Sequence, residues 1–257
     1  MFEGKVALVT GGATGLGRAT ALAFARGGAD LAIVDLNEAA ARDTASEIRL
    51  LQRSCFVIQG DISQPGVPEQ MVRKTVESLG RLDILVNNAA TWSVEPFNEI
   101  SEAAWTKVFD VNVKALMFCL QAAAREMRSK GGGKIINITS PASHMALPNY
   151  TAYAASKAAV DSITRSAAVA LGKDRITVNS VAPGRMDTAM QRETEPKFAA
   201  LAGKELQSFI LDRTKDIPIG RRTSPEEVAE GILWLASAQA DYVTGARLNF
   251  SGGLEVD

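Results

Sequence analysis

The stretch from residue 5 to residue 27 limits the folds open to this chain more than any other. KVALVT is an apolar run without polar alternation. Such a run fits a strand buried on both faces, which belongs in a parallel sheet covered by helices. It ends in Thr10-Gly11-Gly12-Ala13-Thr14-Gly15-Leu16-Gly17 and passes directly into a helical pattern. Strand, glycine turn and helix in that order make a place for a phosphate group, because the first N–H groups of a helix lack partners and attract anions. Gly11 permits a tight turn, Gly15 lets the backbone approach a pyrophosphate, and Gly17 permits close packing of helix on strand. The spacing is G-x-x-x-G-x-G rather than the strict G-x-G-x-x-G.

The same alternation continues along the chain. Residues 30–35 (DLAIVD), 55–59 (CFVIQ), 82–86, 134–139, 175–181 and 246–250 read as further strands, and 38–52, 64–80, 102–130, 151–171 and 224–236 as helices. Ser224, Pro225 and Glu227 have the residue types of an N-cap, a first helical position and a capping-box acid. Seven strands alternating with helices, with no repeat and no linker, predict one domain over residues 1–257. Its architecture is α/β, a doubly wound seven-stranded parallel sheet flanked by helices with right-handed crossovers. Residues 185–222 are mixed and charged, and an excursion of that length at a strand end is expected to cover a substrate.

Charge and composition remove several function classes. With 28 basic and 29 acidic residues the net charge is −1, so there is no electrostatic footprint for nucleic acid. The longest unbroken apolar run, residues 115–120, is far too short to span a bilayer. The first strand starts so early that no room is left for a signal peptide, and a cytoplasmic location is expected. Cys55 and Cys119 lack CxxC spacing and read as buried small hydrophobes, and with one histidine in the chain no metal site is expected.

Chemistry-bearing residues fall at the ends of the expected strands, where ligands gather in open α/β sheets. Asp35 ends the second strand, 18 residues after Gly17. A carboxylate at that spacing accepts from the two hydroxyls of an adenosine ribose and repels a 2′-phosphate, which favours NAD over NADP. Leu36 and Asn37 follow it, with no arginine at once behind. Asp61 and Ile62 stand after the third strand, and Asn87, Asn88 and Ala89 after the fourth. Asn112 lies among apolar neighbours in the expected 102–130 helix and must find a partner for its amide. Tyr153 and Lys157 are four residues apart and share a helix face. A phenol beside an ammonium becomes a usable proton donor near neutral pH. Bringing it from about 10 to about 7–8 takes some 3–4 kcal/mol of phenolate stabilisation.

Taken together, T-G-x-x-x-G-x-G at residues 10–17, Asp61, Asn87-Asn88-Ala89, Asn112, Ser140, Tyr153-x-x-x-Lys157, Pro183-Gly184 and Thr188 resemble the short-chain dehydrogenase/reductase family over essentially the whole chain. Ser140 lies 13 residues before Tyr153, as the family's serine does, and Ser143 does not. Ala90 stands where the family often has glycine, and Pro141 follows the serine. The resemblance implies a Rossmann-like fold and hydride transfer between NAD(H) and a secondary alcohol or ketone. It implies NAD binding by Gly11, Thr14, Gly15, Leu16, Gly17, Asp35, Leu36, Asp61, Ile62, Asn88, Ala89, Tyr153, Lys157, Pro183, Gly184 and Thr188. Tyr153 would be the general acid/base, Lys157 would hold the nicotinamide ribose and lower the tyrosine pKa, and Ser140 would hold the substrate oxygen. Asn112 would anchor a water connecting Lys157 to solvent. His144, Tyr150 and Met186 are candidates for the substrate pocket, with Met145, Trp92 and Met190 near them, and His144 reads as a loop residue more than a catalyst.

Other readings fare worse. A serine hydrolase would need a serine–histidine–acid constellation, but the sole histidine, His144, lies four residues from Ser140 in a loop, and the chain has no G-x-S-x-G elbow. A non-catalytic NAD-binding regulator would have lost Ser140, Tyr153 or Lys157. An NADPH-dependent 3-oxoacyl-thioester reductase of the same family is opposed by Asp35 and by Thr14, where NADPH users often carry a basic residue. The family also implies a homotetramer or homodimer, joined through the long helix, the Ala-rich helix at 151–171 and the last helix and strand.

Overall fold

Each expected strand finds parallel partners in the computed structural model, which describes residues 1–256. In chain order the elements are β1 (Val6–Thr10), α1 (Gly15–Arg26), β2 (Asp30–Asp35), α2 (Glu38–Leu50), β3 (Cys55–Gln59), α3 (Val67–Leu79) and β4 (Ile84–Asn87). After these come α4 (Glu102–Phe109), α5 (Leu116–Ser129), β5 (Gly133–Ile138), α6 (Thr151–Leu171) and β6 (Ile176–Pro183). The chain ends with α7 (Ala189–Leu201), α8 (Leu206–Lys215), α9 (Pro225–Ala236) and β7 (Arg247–Phe250). The sheet runs β3-β2-β1-β4-β5-β6-β7, and every pairing is parallel. This is the single-domain, Rossmann-like doubly wound sheet that the alternation predicts.

The pleat of β1 sorts its side chains into two cores. Ala7 and Val9 join Phe24, Ile33, Ile48 and Ile232 under α1, α2 and α9. Leu8, one residue between them, joins Met71, Leu85, Cys119 and Ile135 under α3, α5 and α6. Burial on both faces is why β1 reads as continuously apolar. Truncating a side chain as fully enclosed as Phe24 costs about 3–5 kcal/mol. Both cysteines are buried thiols, and burial pushes Cys55 up to about 12. The strand order turns back between β1 and β4, and that opens a crevice at the carboxyl ends of the strands.

One expected element is broken. The helix read over 102–130 is α4 and α5 joined by a wide π-turn at Asp110–Ala115. Asn112, at its centre, is the reason. Its Oδ1 accepts from the Thr91 N–H at 2.8 Å, and its Nδ2 donates to the Thr91 carbonyl at 2.9 Å and to Ser156 Oγ at 3.0 Å. Those three bonds pull one residue inward, and a π-bulge absorbs the displacement. The capping box at α9 forms as read, with Ser224 and Glu227 each bonding the other's backbone N–H. Among the described residues no helix is long and apolar enough to cross a membrane.

Candidate active site

A cavity of about 1410 Å³ follows the strand ends from Asp35 and Asp61, past the glycine turn, to Tyr153 and on to α7 and α8. At its first end the turn is fixed by its glycines and by β4. Gly11 and Gly15 have φ of +64° and +53°, in the left-handed region that glycine adopts without strain. A Cβ on Gly17 would lie 1.9 Å from the Gly11 carbonyl oxygen, so only glycine allows this approach. Thr10 Oγ1 accepts from the N–H groups of Asn88 and Ala89 at 3.0 and 3.1 Å. Asn88 Nδ2 donates to the carbonyls of Thr10 and Gly11, both at 3.0 Å. Asp35 accepts from the N–H of Ala13 at 3.0 Å through one oxygen and from that of Asn37 at 3.0 Å through the other. Leu36 beside it is 67 % exposed at the cavity rim. Asp61 accepts from Ser63 Oγ at 2.7 Å and from the Ser63 N–H at 2.9 Å, and the Ser63 side chain leads in holding its pKa below the usual value.

At the middle stand Ser140, Tyr153 and Lys157. Ser140 ends β5's path and caps a short 3₁₀ turn, Pro141–Ser143, accepting from the Ala142 N–H at 3.2 Å. Pro141 opens that turn, where a missing N–H costs nothing and a fixed φ helps. Tyr153 and Lys157 lie on the inward face of α6, both buried. Lys157 Nζ donates to the Ile138 carbonyl at 2.8 Å and sits 5.5 Å from the centre of the Tyr153 ring.

The electrostatics here run against the expectation of a tyrosine lowered by its lysine. Burial pushes Tyr153 up to about 12, with the Ser140 side chain pulling the other way. Burial brings Lys157 down to about 8, with Asp161 opposing. The ammonium is directed at a carbonyl rather than at the phenol, and desolvation penalises both charged forms.

Of the other expected residues, Thr14, Leu16, Ile62, Ala89, Tyr150, Pro183, Gly184, Met186 and Thr188 also line the cavity, as do Met145 and Met190. The Thr188 methyl stands 3.6 Å from where a Gly15 Cβ would be, which places it over the glycine turn. Gly17 and Asn112 support the lining from behind. His144 does not line the cavity. Its Nδ1 is 2.7 Å from Glu255 and its Nε2 is 3.9 Å from Asp161, in an ion cluster with Arg247. Arg247 also donates to the Ser140 carbonyl at 3.2 Å, so this cluster supports the serine from below. Trp92 is likewise outside the cavity, under the Lys197 ammonium at 4.7 Å.

Sequence reasoning missed Arg185, Phe198, Phe209 and Arg213, which line the far end of the cavity. All lie in or beside the 185–222 excursion, where no motif marks them. Burial holds Arg185 down to about 10, with Arg213 adding to the effect. Among the described residues no group of three or more His, Cys, Asp or Glu side chains converges as a metal site.

The cavity thus joins a glycine cradle at the switch point, an acid at the end of β2 and a serine–tyrosine–lysine cluster on one wall. A family model described as enoyl-(acyl carrier protein) reductase matches residues 11–255. Galactitol 2-dehydrogenase of Agrobacterium fabrum is 38% identical over 98% of this chain and 98% of its own length. L-rhamnose 1-dehydrogenase (NAD(P)(+)) of a Sphingomonas species is 36% identical over 100% of this chain and 98% of its own. The crystal structure of an acetoin dehydrogenase from Salmonella typhimurium superposes with a TM-score of 0.85 at 35% identity, covering 97% of this chain and 95% of that one. The chain belongs to the short-chain dehydrogenase/reductase family and is a nicotinamide-dependent oxidoreductase acting on CH–OH donors.

Proposed function

We propose that the protein oxidises a secondary alcohol to a ketone, or runs the reverse, with NAD as cofactor and Tyr153 as general acid/base. The observation that carries this is the placement of Ser140, Tyr153 and Lys157 on the wall of one cavity that begins at the glycine turn. The turn fits a pyrophosphate, because its close backbone packing leaves no room for a Gly17 side chain and α1 presents its first N–H groups there. Asp35 and Leu36 offer a carboxylate and an apolar side chain at the adenosine end, which suits a free ribose hydroxyl pair better than a 2′-phosphate. When bound, the nicotinamide supplies the hydride acceptor.

The chain's own residues do the rest. Ser140 holds the substrate oxygen and stabilises charge as it develops there. Tyr153 takes the hydroxyl proton as the carbinol C–H bond breaks, or returns it to the ketone oxygen. Lys157 holds the cofactor ribose, and Asn112 keeps the lysine's surroundings in place through Thr91 and Ser156. Residues 185–222, with α7 and α8, cover the substrate.

The same reading includes a cytoplasmic homotetramer or homodimer. Trp105 on α4, Phe118 on α5, Val169 on α6 and Trp234 on α9 are exposed large apolar side chains on the helices expected at the interfaces.

The test is a screen of galactitol, L-rhamnose, 2,3-butanediol and acetoin with each cofactor, following reduced nicotinamide at its absorbance. Turnover with NAD at least tenfold more efficient than with NADP is the expected result. A strong preference for NADP would overturn the cofactor assignment and favour the oxoacyl-thioester reductase reading.

A further inference from the structure

Among the described residues, Arg213 is the one arginine at the far end of the cavity without a carboxylate in direct contact. Three guanidinium groups gather there. Arg222 is paired with Glu195 through contacts of 2.6 and 3.3 Å. Arg185 has Asp216 at 3.8 Å and donates to the Arg213 carbonyl. Arg213 has neither a carboxylate nor a hydrogen-bond acceptor for its side chain among the described residues. It lies 5.2 Å from the centre of the Phe198 ring and 5.4 Å from that of Phe209. Three cations against two carboxylates leave one positive charge in surplus, on a residue that lines the cavity.

Its setting is built rather than incidental. An arginine on an open helix surface is hydrated and indifferent to its neighbours. Arg213 is largely buried, flanked by two aromatic rings that adjoin the group while leaving its N–H donors unused. Burial is the leading influence on its pKa and lowers it, with Glu195 opposing from a distance and Arg222 adding to the lowering, so the charge stands in a poorly solvated place. A guanidinium with free donors in a partly desolvated pocket is a receptor for a carboxylate, which it binds in a bidentate manner.

A line of aromatic surface connects this charge to the reacting centre. The Tyr150 ring stacks on Tyr153 at 4.4 Å and meets Phe198 edge-on at 5.2 Å, and Phe198 adjoins Arg213. We propose that Arg213 is a substrate-binding residue that selects a monocarboxylate, so that the substrate is a secondary alcohol or ketone whose carboxylate is separated from the reacting carbon by an apolar spacer. The single surplus charge matches a monoanion, and the intervening rings match an apolar spacer. This rests on the hydride-transfer reading above and narrows its substrate class.

The test uses matched pairs with NAD: straight-chain hydroxy acids carrying the hydroxyl on the penultimate carbon, and 1-phenylethanol bearing a para-carboxylate, each beside its primary amide. A charge-assisted bond predicts an acid preferred over its amide by about tenfold or more in kcat/KM for at least one pair, mainly through KM. Arg213→Gln should bring that ratio towards one, and Arg213→Lys should retain part of it. Amides equal to or better than their acids throughout, or a ratio that survives in Arg213→Gln, overturns the proposal. Turnover of neutral alcohols alone leaves hydride transfer standing and removes the carboxylate. If no alcohol or ketone turns over, the hydride-transfer reading fails. Calorimetric titration of the acids into the protein with NAD then decides the role of Arg213, since equal affinity in wild type and Arg213→Gln overturns it.

Discussion

At the glycine-turn end of the cavity the side chains of Thr10, Asn88 and Asp35 are bonded to the protein's own backbone, and at the α7–α8 end the Arg213 side chain has no such bond among the described residues. Asn88 and Thr10 staple the turn to β4, and both oxygens of Asp35 accept from backbone N–H groups near the turn. A ligand there meets a surface set before it arrives. Around Arg213 the walls are side chains on two short helices, held to the body by the Arg222–Glu195 pair and by Arg185. The first end is built for one shape, and the second can be re-specified by changing a few side chains. That contrast lets one fold keep a cofactor site while its substrates diverge.

The sharpest way to break the contrast is at the centre, where the two ends meet. Tyr153→Phe should lower kcat by about 10³-fold, the usual scale for losing a general acid/base, while NADH still binds as followed by its fluorescence. A variant with retained turnover removes Tyr153 from the chemistry. Gly17→Ala probes the rigid end. A methyl group 1.9 Å from the Gly11 oxygen must displace backbone, so about 3 kcal/mol of stability and most NADH affinity should go together. Unchanged melting and binding would show that the turn yields. Glu195→Gln probes the adaptable end. It leaves Arg222 without its carboxylate and should cost about 2 kcal/mol, with faster proteolysis confined to residues 185–222.

The smallest effect concerns pH. Lys157 has its pKa lowered from 10.5 to about 8 on folding, so between those values the unfolded chain holds the extra proton. Stability of the cofactor-free protein should therefore gain from this group as pH rises from about 8 towards 10. Tyr153 has the opposite sign. Its pKa is raised from 10.0 to about 12, so it withdraws stability above pH 10. Lys157→Met should flatten the first slope in chemical denaturation curves recorded across that range, and an unchanged slope would mean that the lysine is not desolvated.

The expectation of a lysine-lowered tyrosine illustrates what a sequence can carry. Four-residue spacing put Tyr153 and Lys157 on one face of α6, and they are there. The direction of each pKa depends on what else surrounds them, and the Ile138 carbonyl that draws the ammonium lies 19 residues away. The π-turn is similar. A 102–130 helix follows from periodicity, yet Asn112 finds its partners at Thr91 and Ser156, 21 and 44 residues distant. His144 is a candidate for the substrate pocket by sequence, but its ring pairs with Glu255 near the chain's far end and does not line the cavity.

What this sequence determined by itself is the set of features written in short range. Continuous apolar runs mark strands buried on both faces, glycines mark the one turn where a Cβ cannot fit, and a carboxylate marks the end of β2. These are local, because strand burial, turn sterics and helix spacing act over a few residues, and their order along the chain fixes the doubly wound sheet. The tertiary structure alone decided which buried groups lose their water and which charges find a partner. Arg213 looks like any surface arginine in the chain. Phe209 is a local neighbour, four residues earlier on α8, but only the folding of α8 against α7 brings Phe198 to the guanidinium and leaves it lining the cavity. Desolvation and pairing depend on atoms brought together from distant parts of the chain, and no local pattern records them.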